Sequence, residues 1–186
     1  SIINWGTERQ PFLMGIIVSV LMGMILTLPI SSAALGIVLG LSGLAAGAAT
    51  VGCSAQMVGF AVASYRENKV SGLISQGIGT SMLQVPNIMR HPLIWVPPTL
   101  ASAILGPIAT MVFKMESNAA GSGMGTSGLV GQIMTWNVMG PTTSWPALLG
   151  MILLLHFIAP AALSLLFAEF MRKKGWIKAG DMLLEK

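Results

Sequence analysis

Ten side chains can hydrogen-bond yet lie in or beside stretches that are otherwise apolar: Gln56, Thr80, Ser81, Gln84, Asn87, Arg90, His91, Thr126, Ser127 and Gln132. Neutral amides and hydroxyls offer many donors and acceptors without charge, which is what an uncharged polyhydroxy solute requires. Asn137 adds one more amide of this kind. Arg90 beside His91 suits an anion or a phosphorylated sugar instead, and the residues alone leave both ligands open. The types needed for bond-breaking chemistry are missing. No Asp or Glu pair sits in an apolar region, Glu116 stands alone at a helix end, and there is no Cys/His cluster, H-E-x-x-H or G-x-S-x-G. This argues against a hydrolase or a metal enzyme, so no catalytic residue, cofactor or metal ion is expected.

The stretch that must position most of these groups is Ser75 to Pro98, with four prolines (Pro86, Pro92, Pro97, Pro98) and two glycines (Gly77, Gly79). Proline removes helical hydrogen bonds and clashes with the preceding turn. The segment therefore cannot be one smooth membrane helix. Irregular backbone at membrane depth persists only where it is buried in protein or lines a wet cavity. Two readings follow: a solute site, or an interfacial loop joining two spans.

Composition sets the class. The chain has 186 residues, 54% hydrophobic and 9% charged, with a mean hydropathy of +0.78. Soluble domains carry about a quarter charged residues, so long apolar runs with few charges mean an integral membrane protein. Four of the ten basic residues fall between Arg172 and Lys178, a flank expected on the cytoplasmic side. The net charge of +4 is not read as a nucleic-acid signal. Cys53, the single cysteine, reads as a small apolar helix residue.

In chain order, Ser1 to Gln10 is polar, with Trp5 suited to the headgroup zone. The uncharged run from Gln10 to Tyr65 exceeds one span and should break at Pro29. This gives a first span of about 12–28, with Pro11 in its first turn, and a second over 32–65. Gly36/Gly40 and Gly43/Gly47 each have G-x-x-x-G spacing, read as tight helix packing; a sharper alternative is partial unwinding over Ala48 to Gly52. Gln56 is then either a packing hydrogen bond or a solute ligand. Further spans are expected at about 98–113 and 144–170, with glycine-rich re-entrant segments over 70–89 and 117–144. His156 lies inside the last span, as a packing group or as a proton or solute site. Placing both basic flanks, 66–69 and 172–178, on one side puts the N-terminus there too.

One motif recurs. G-x-G-T-S-x-L occurs at Gly77 to Leu83 and again at Gly123 to Leu129, each followed by a glutamine, Gln84 and Gln132. A matched pair of glycine-interrupted segments points to a binding site between broken helices. It is not a phosphate-binding loop, because no Gly-Lys-Ser/Thr follows.

The runs QPFLMG, PISSAALGIVLGLSGLAAGAATVGCSAQMVGFAVASYRENKVSG, GTSMLQVPNIMRHPLIWVPPTLASAILGPIAT and GMGTSGLVGQ resemble the enzyme IIC membrane permeases of the bacterial phosphotransferase system, in particular the PfoR-type branch. The resemblance covers nearly all of residues 10 to 170. It implies a sugar-translocating domain from a longer parent chain, to which a phosphorylated cytoplasmic IIB partner passes phosphate for the sugar. The glutamate-containing sugar-binding motif of glucose-type members has no counterpart here.

The expectation is thus an all-α polytopic membrane protein with about four main transmembrane helices and two re-entrant or broken glycine-rich segments. Residues 1–186 would form one permease domain, the C-terminal part of a longer chain, with 171–186 a cytoplasmic tail. Its place would be the bacterial inner membrane. Its function would be translocation of a sugar or similar polar solute; the alternative is a membrane regulator or sensor that binds a solute without moving it. As an enzyme it is at most the membrane subunit of a sugar phosphotransferase. Candidate partners are the solute, a IIB-type phosphocarrier, the lipid bilayer and a second copy of the chain, with no nucleic acid.

Overall fold

The computed structural model describes residues 1–184. Its main helices, in chain order, are α1 (Ile2–Arg9), α2 (Pro11–Thr27), α3 (Ser32–Val38), α4 (Gly43–Ala63), α5 (Tyr65–Ile74), α6 (Val85–Arg90), α7 (Val96–Pro107), α8 (Ala119–Ser122), α9 (Val130–Met139), α10 (Trp145–Ile152) and α11 (Ala159–Lys173). Wide π-type turns carry α7 on through Ile108–Val112 and join α10 to α11 over Leu153–Ile158. Among the described residues, three continuous helices are long and apolar enough to cross a membrane: Gly43–Ala63, Pro92–Val112 and Trp145–Lys173. At 1.5 Å per residue, the 21 residues of α4 span about 32 Å, matching a hydrocarbon core of about 30 Å.

α4 is the axis of the molecule and is almost wholly enclosed. Two of its glycines make this possible. A Cβ on Gly47 would overlap the Met115 carbonyl, and one on Gly52 would overlap the Ser19 carbonyl, so neighbouring backbones press against it directly. Its depth can be read from what each turn touches. Gly43 accepts a hydrogen bond from Ser117 N at 3.3 Å at one end, and Ala63 accepts one from Arg172 at 3.0 Å at the other. The second end also holds Arg66, Lys69, Lys173 and Lys174 and is here called the basic end. There the buried Arg172–Glu67 pair (2.9 Å) and the more exposed Arg66–Glu169 pair (2.7 Å) fasten α5 to α11.

Three hairpins fill the space around the spans. The first is α2 and α3. Pro11 starts α2, and Leu28, extended at φ −71°, ψ 159° ahead of Pro29, ends it. Both ends of this hairpin lie away from the basic end. Thr110 donates to Pro11 O (2.8 Å), and the Asn4 side chain bonds Gly40 O (2.9 Å) and Ser42 (3.0 and 3.1 Å). Its tip reaches inward, where Thr27 Oγ1 donates to Gln56 Oε1 at 3.2 Å. The second hairpin, residues 75–90, rises from the basic end to Gly77, which lies against Ala61, and returns through α6. The third descends from Ser117 through α8 to a tip over 123–129 and returns on α9, where Met139 Sδ accepts from Glu116 N.

Several expectations are corrected here. The apolar segment 12–28 is a helix as expected, but it forms half of a hairpin, so three long apolar helices lie between the N-terminal helix and the basic tail. The N-terminus therefore lies opposite the basic end. The expected span 32–65 is two helices. Gly40 (φ +62°) and Gly43 (φ +55°) turn the chain between them, and a Cβ added at Gly40 would meet nothing within 4 Å. α4 is regular through Ala48 to Gly52. The last span runs on to Lys173, and the segment after it folds back, burying Ile177 and Met182 beside Phe60 and Ile88.

Candidate functional site

The three hairpin tips converge beside Met57, about two-thirds of the way along α4 from Gly43. The two copies of the repeated motif meet there, having entered from opposite ends. Thr126 Oγ1 donates to Gly77 O, and Ser127 Oγ donates to Gly79 O at 3.0 Å. The first hairpin joins through Thr27, whose hydroxyl lies 2.8 Å from that of Ser81. Between the tips is a cavity of about 180 Å³, lined by Ser31, Ser32, Thr80, Met124, Ser127 and Met57 among others.

Local sequence builds each tip. Thr80 is extended at φ −159°, and its Oγ1 accepts from Met82 N at 3.1 Å, starting a tight turn. At the third tip Gly125, Gly128 and Leu129 all have positive φ. For Leu129 that conformation costs about 1–2 kcal/mol, and it reverses the chain so that α9 can leave beside α4. Gly131 then lies directly on the Gly125 carbonyl.

The ten candidate residues divide among four places. Thr80 and Ser127 line the cavity, while Ser81 and Thr126 tie the tips together. Gln56, wholly buried, supports the tips from α4. It accepts from Thr27 (3.2 Å) and Trp95 Nε1 (3.1 Å) and donates to Thr99 (3.0 Å). Gln84 and Asn87 lie nearer the basic end in a chain of amides. Asn87 donates to Gln84 Oε1 (2.9 Å), Gln84 to Gln76 Oε1 (2.7 Å), and Gln76 to Ser64 Oγ (3.0 Å). Gln132 packs deep against the last span, its Nε2 at 2.9 Å from His156 Nδ1. Arg90 and His91 are exposed at the basic end, where His91 Nε2 lies 3.5 Å from Asp181 Oδ1. The structure thus joins the two Gly-Thr-Ser segments but does not bring Asn87, Arg90 and His91 into their cavity.

Sequence reasoning passed over Thr27 and Thr99, and did not single out Ser31 and Ser32 as ligands. Two adjacent serines after Pro29 in an apolar run were the available signal. The cavity lining offers hydroxyls and main-chain groups and no charged side chain, so it can hydrogen-bond a neutral solute.

The sequence profile of one family, described as "Phosphotransferase system, EIIC", matches residues 1–184. No curated protein and no solved structure matches the chain.

Proposed function

The chain belongs to the phosphotransferase system EIIC family, and we propose that its three-tip cavity is the solute site of a sugar permease. The observation that carries this reading is the meeting of the two motif copies at Thr126–Gly77 and Ser127–Gly79 from opposite ends of the molecule. Transporters built on inverted repeats bind solute near the midplane, where broken segments face each other. Serine and threonine hydroxyls with free main-chain groups suit the hydroxyls of a sugar. The cavity is smaller than the ~300 Å³ at which small-molecule pockets begin. Loading a hexose therefore requires the tips to part, breaking the two hydrogen bonds that join them.

On this reading the basic end faces the cytoplasm of a bacterial cell, by the excess of Lys and Arg there. A phosphorylated IIB carrier would approach that end and pass its phosphoryl group to a sugar hydroxyl. The protein's own residues bind and orient the sugar; the carrier supplies the phosphorus chemistry.

The test is counterflow of labelled hexoses into proteoliposomes. Thr80→Val and Ser127→Ala should each lower uptake several-fold while the protein stays folded, and Leu166→Ala, on the outer surface, should not. Saturable binding without flux would support the regulatory alternative. Folded wild-type protein that neither binds nor moves any sugar would overturn the proposal.

A further inference from the structure

The last span is interrupted at His156. Over Leu153–Ile158 it widens into π-type turns, and Ala159 N donates back to Leu154 O. Pro160 adds to the break, since it has no N–H to return to the His156 carbonyl one turn earlier. Single π-turns of this kind are frequent at functional places in helices. The inner part of the span is fixed at the basic end by the Arg172–Glu67 and Arg66–Glu169 pairs. The outer part, α10, goes instead with α9. A close turn joins the two, where Thr142 N and Thr143 N both donate to Met139 O (3.1 and 2.9 Å).

Among the described residues, one hydrogen bond ties α9 to the last span, and it lies at this break: Gln132 to His156, at 2.9 Å. Gln132 Nε2 also lies 3.5 Å from Ser54 Oγ, whose own proton goes to Thr50 O. The amide nitrogen is thus the donor to both, and His156 accepts at Nδ1. From this pair the connection runs straight to the tips. Gly131, next to Gln132, donates its N–H to Gly125 O (3.0 Å), and Thr126, next to Gly125, donates to Gly77 O. The contact also has capacity to spare. Gln132 Oε1, Thr135 Oγ1 and His156 Nε2 are buried without a partner among the described residues. Buried polar groups in a settled interior are nearly all paired, so these are ready to take new partners when α9 shifts.

We propose that His156 is a positioning residue for the tips. Through Gln132 it sets where the second motif copy sits, and the π-turns around it let α9 and α10 move as one when the tips part. Its part in transport rests on the solute-site reading above; its control of the tips does not.

Hydrogen–deuterium exchange on the detergent-solubilised full chain, without sugar, tests it. His156→Leu should speed amide exchange over 123–131 by about twofold to tenfold for the bond lost. It should also speed exchange over 77–83, which it reaches across the Thr126–Gly77 and Ser127–Gly79 bonds, and leave α5 unchanged. His156→Asn, whose amide oxygen can stand where Nδ1 does, should restore protection in both segments. A brace for the last span alone would quicken exchange over 145–165 and leave 77–83 as it was, and that result overturns the proposal. Should His156→Leu not fold, Gln132→Leu removes the same bond from the other side. Failure of both to fold where His156→Asn folds makes the pair a brace and overturns the proposal too. Faster tip exchange in a protein that moves no sugar sinks the solute reading and leaves this one standing.

Discussion

Gln56→Leu is the sharpest test of how the tips are held. Leucine nearly preserves volume, so the change removes hydrogen bonds without opening a large cavity. Three bonds go: from Thr27, from Trp95 and to Thr99. Hydrogen bonds between membrane helices average about 0.6 kcal/mol, giving roughly 2 kcal/mol for the set. Thr27 keeps Gly23 O and Ser81 as partners and adds little more. The indole N–H of half-buried Trp95 loses its acceptor, and an unsatisfied group adds about 1 kcal/mol at the low end of its usual cost. The expected loss is therefore about 2–3 kcal/mol, read as a lower midpoint in denaturation by a harsh detergent. Sugar binding, measured at a temperature where the variant is still folded, should fall only as far as the tips loosen. An unchanged midpoint with abolished binding would refute this reasoning and make Gln56 a direct ligand.

Three further outcomes follow. Gly47→Ala and Gly52→Ala place a methyl group on the Met115 and Ser19 backbones and should cost at least ~1–3 kcal/mol each; Gly150→Ala, inside α10 with open space around it, should not lower the melting temperature. Arg172→Ala strands the buried Glu67 carboxylate and should cost about 3–5 kcal/mol, whereas Arg66→Ala, at an exposed pair, should cost less than about 1 kcal/mol in the same unfolding assay. In a Cys53→Ser background, cysteines at Asn68 and Lys178 should label from one side of the membrane and a cysteine at Asn4 from the other. Labelling of all three from one side would contradict three crossings.

The sequence disclosed the all-helical membrane class, the breaks at Pro29 and around Pro86 to Pro98, and the repeated Gly-Thr-Ser motif. It did not disclose that α2 turns back. Pro11–Thr27 is as apolar as a crossing helix, and only its 17 residues set it apart. Glycine spacing misled for a related reason. Gly40, Gly43 and Gly47 look alike in sequence, yet two are turn residues with positive φ and the third is a contact point; spacing carries no information about φ. Eight of the ten candidate polar residues are buried or half-buried, Arg90 and His91 being exposed, and which of them share a place depends on hairpin direction. Gln132 meets His156 across 24 residues, and Gln84 meets Met182 across 98. No local pattern encodes such pairings.

The enclosed position of α4 bears on how the protein is made. When α4 enters the bilayer, most of the partners that will surround it, apart from α1 and α2, do not yet exist. The hundred-odd residues up to Lys173 take roughly 5–20 s to synthesise at ~5–20 residues per second. Over that interval its hydroxyls would be a burden in lipid, but they are already served within the helix: Thr50 donates to Ala46 O (2.7 Å), Ser54 to Thr50 O (2.8 Å) and Ser64, at its end, to Phe60 O (2.6 Å). Gln56 is the exception, since the three partners given above all lie on other elements. A nascent α4 is thus content to wait in lipid everywhere but at one amide. That amide recruits the first hairpin, already made, and then the Pro92–Val112 helix as it emerges, so assembly begins at the depth where the tips later close.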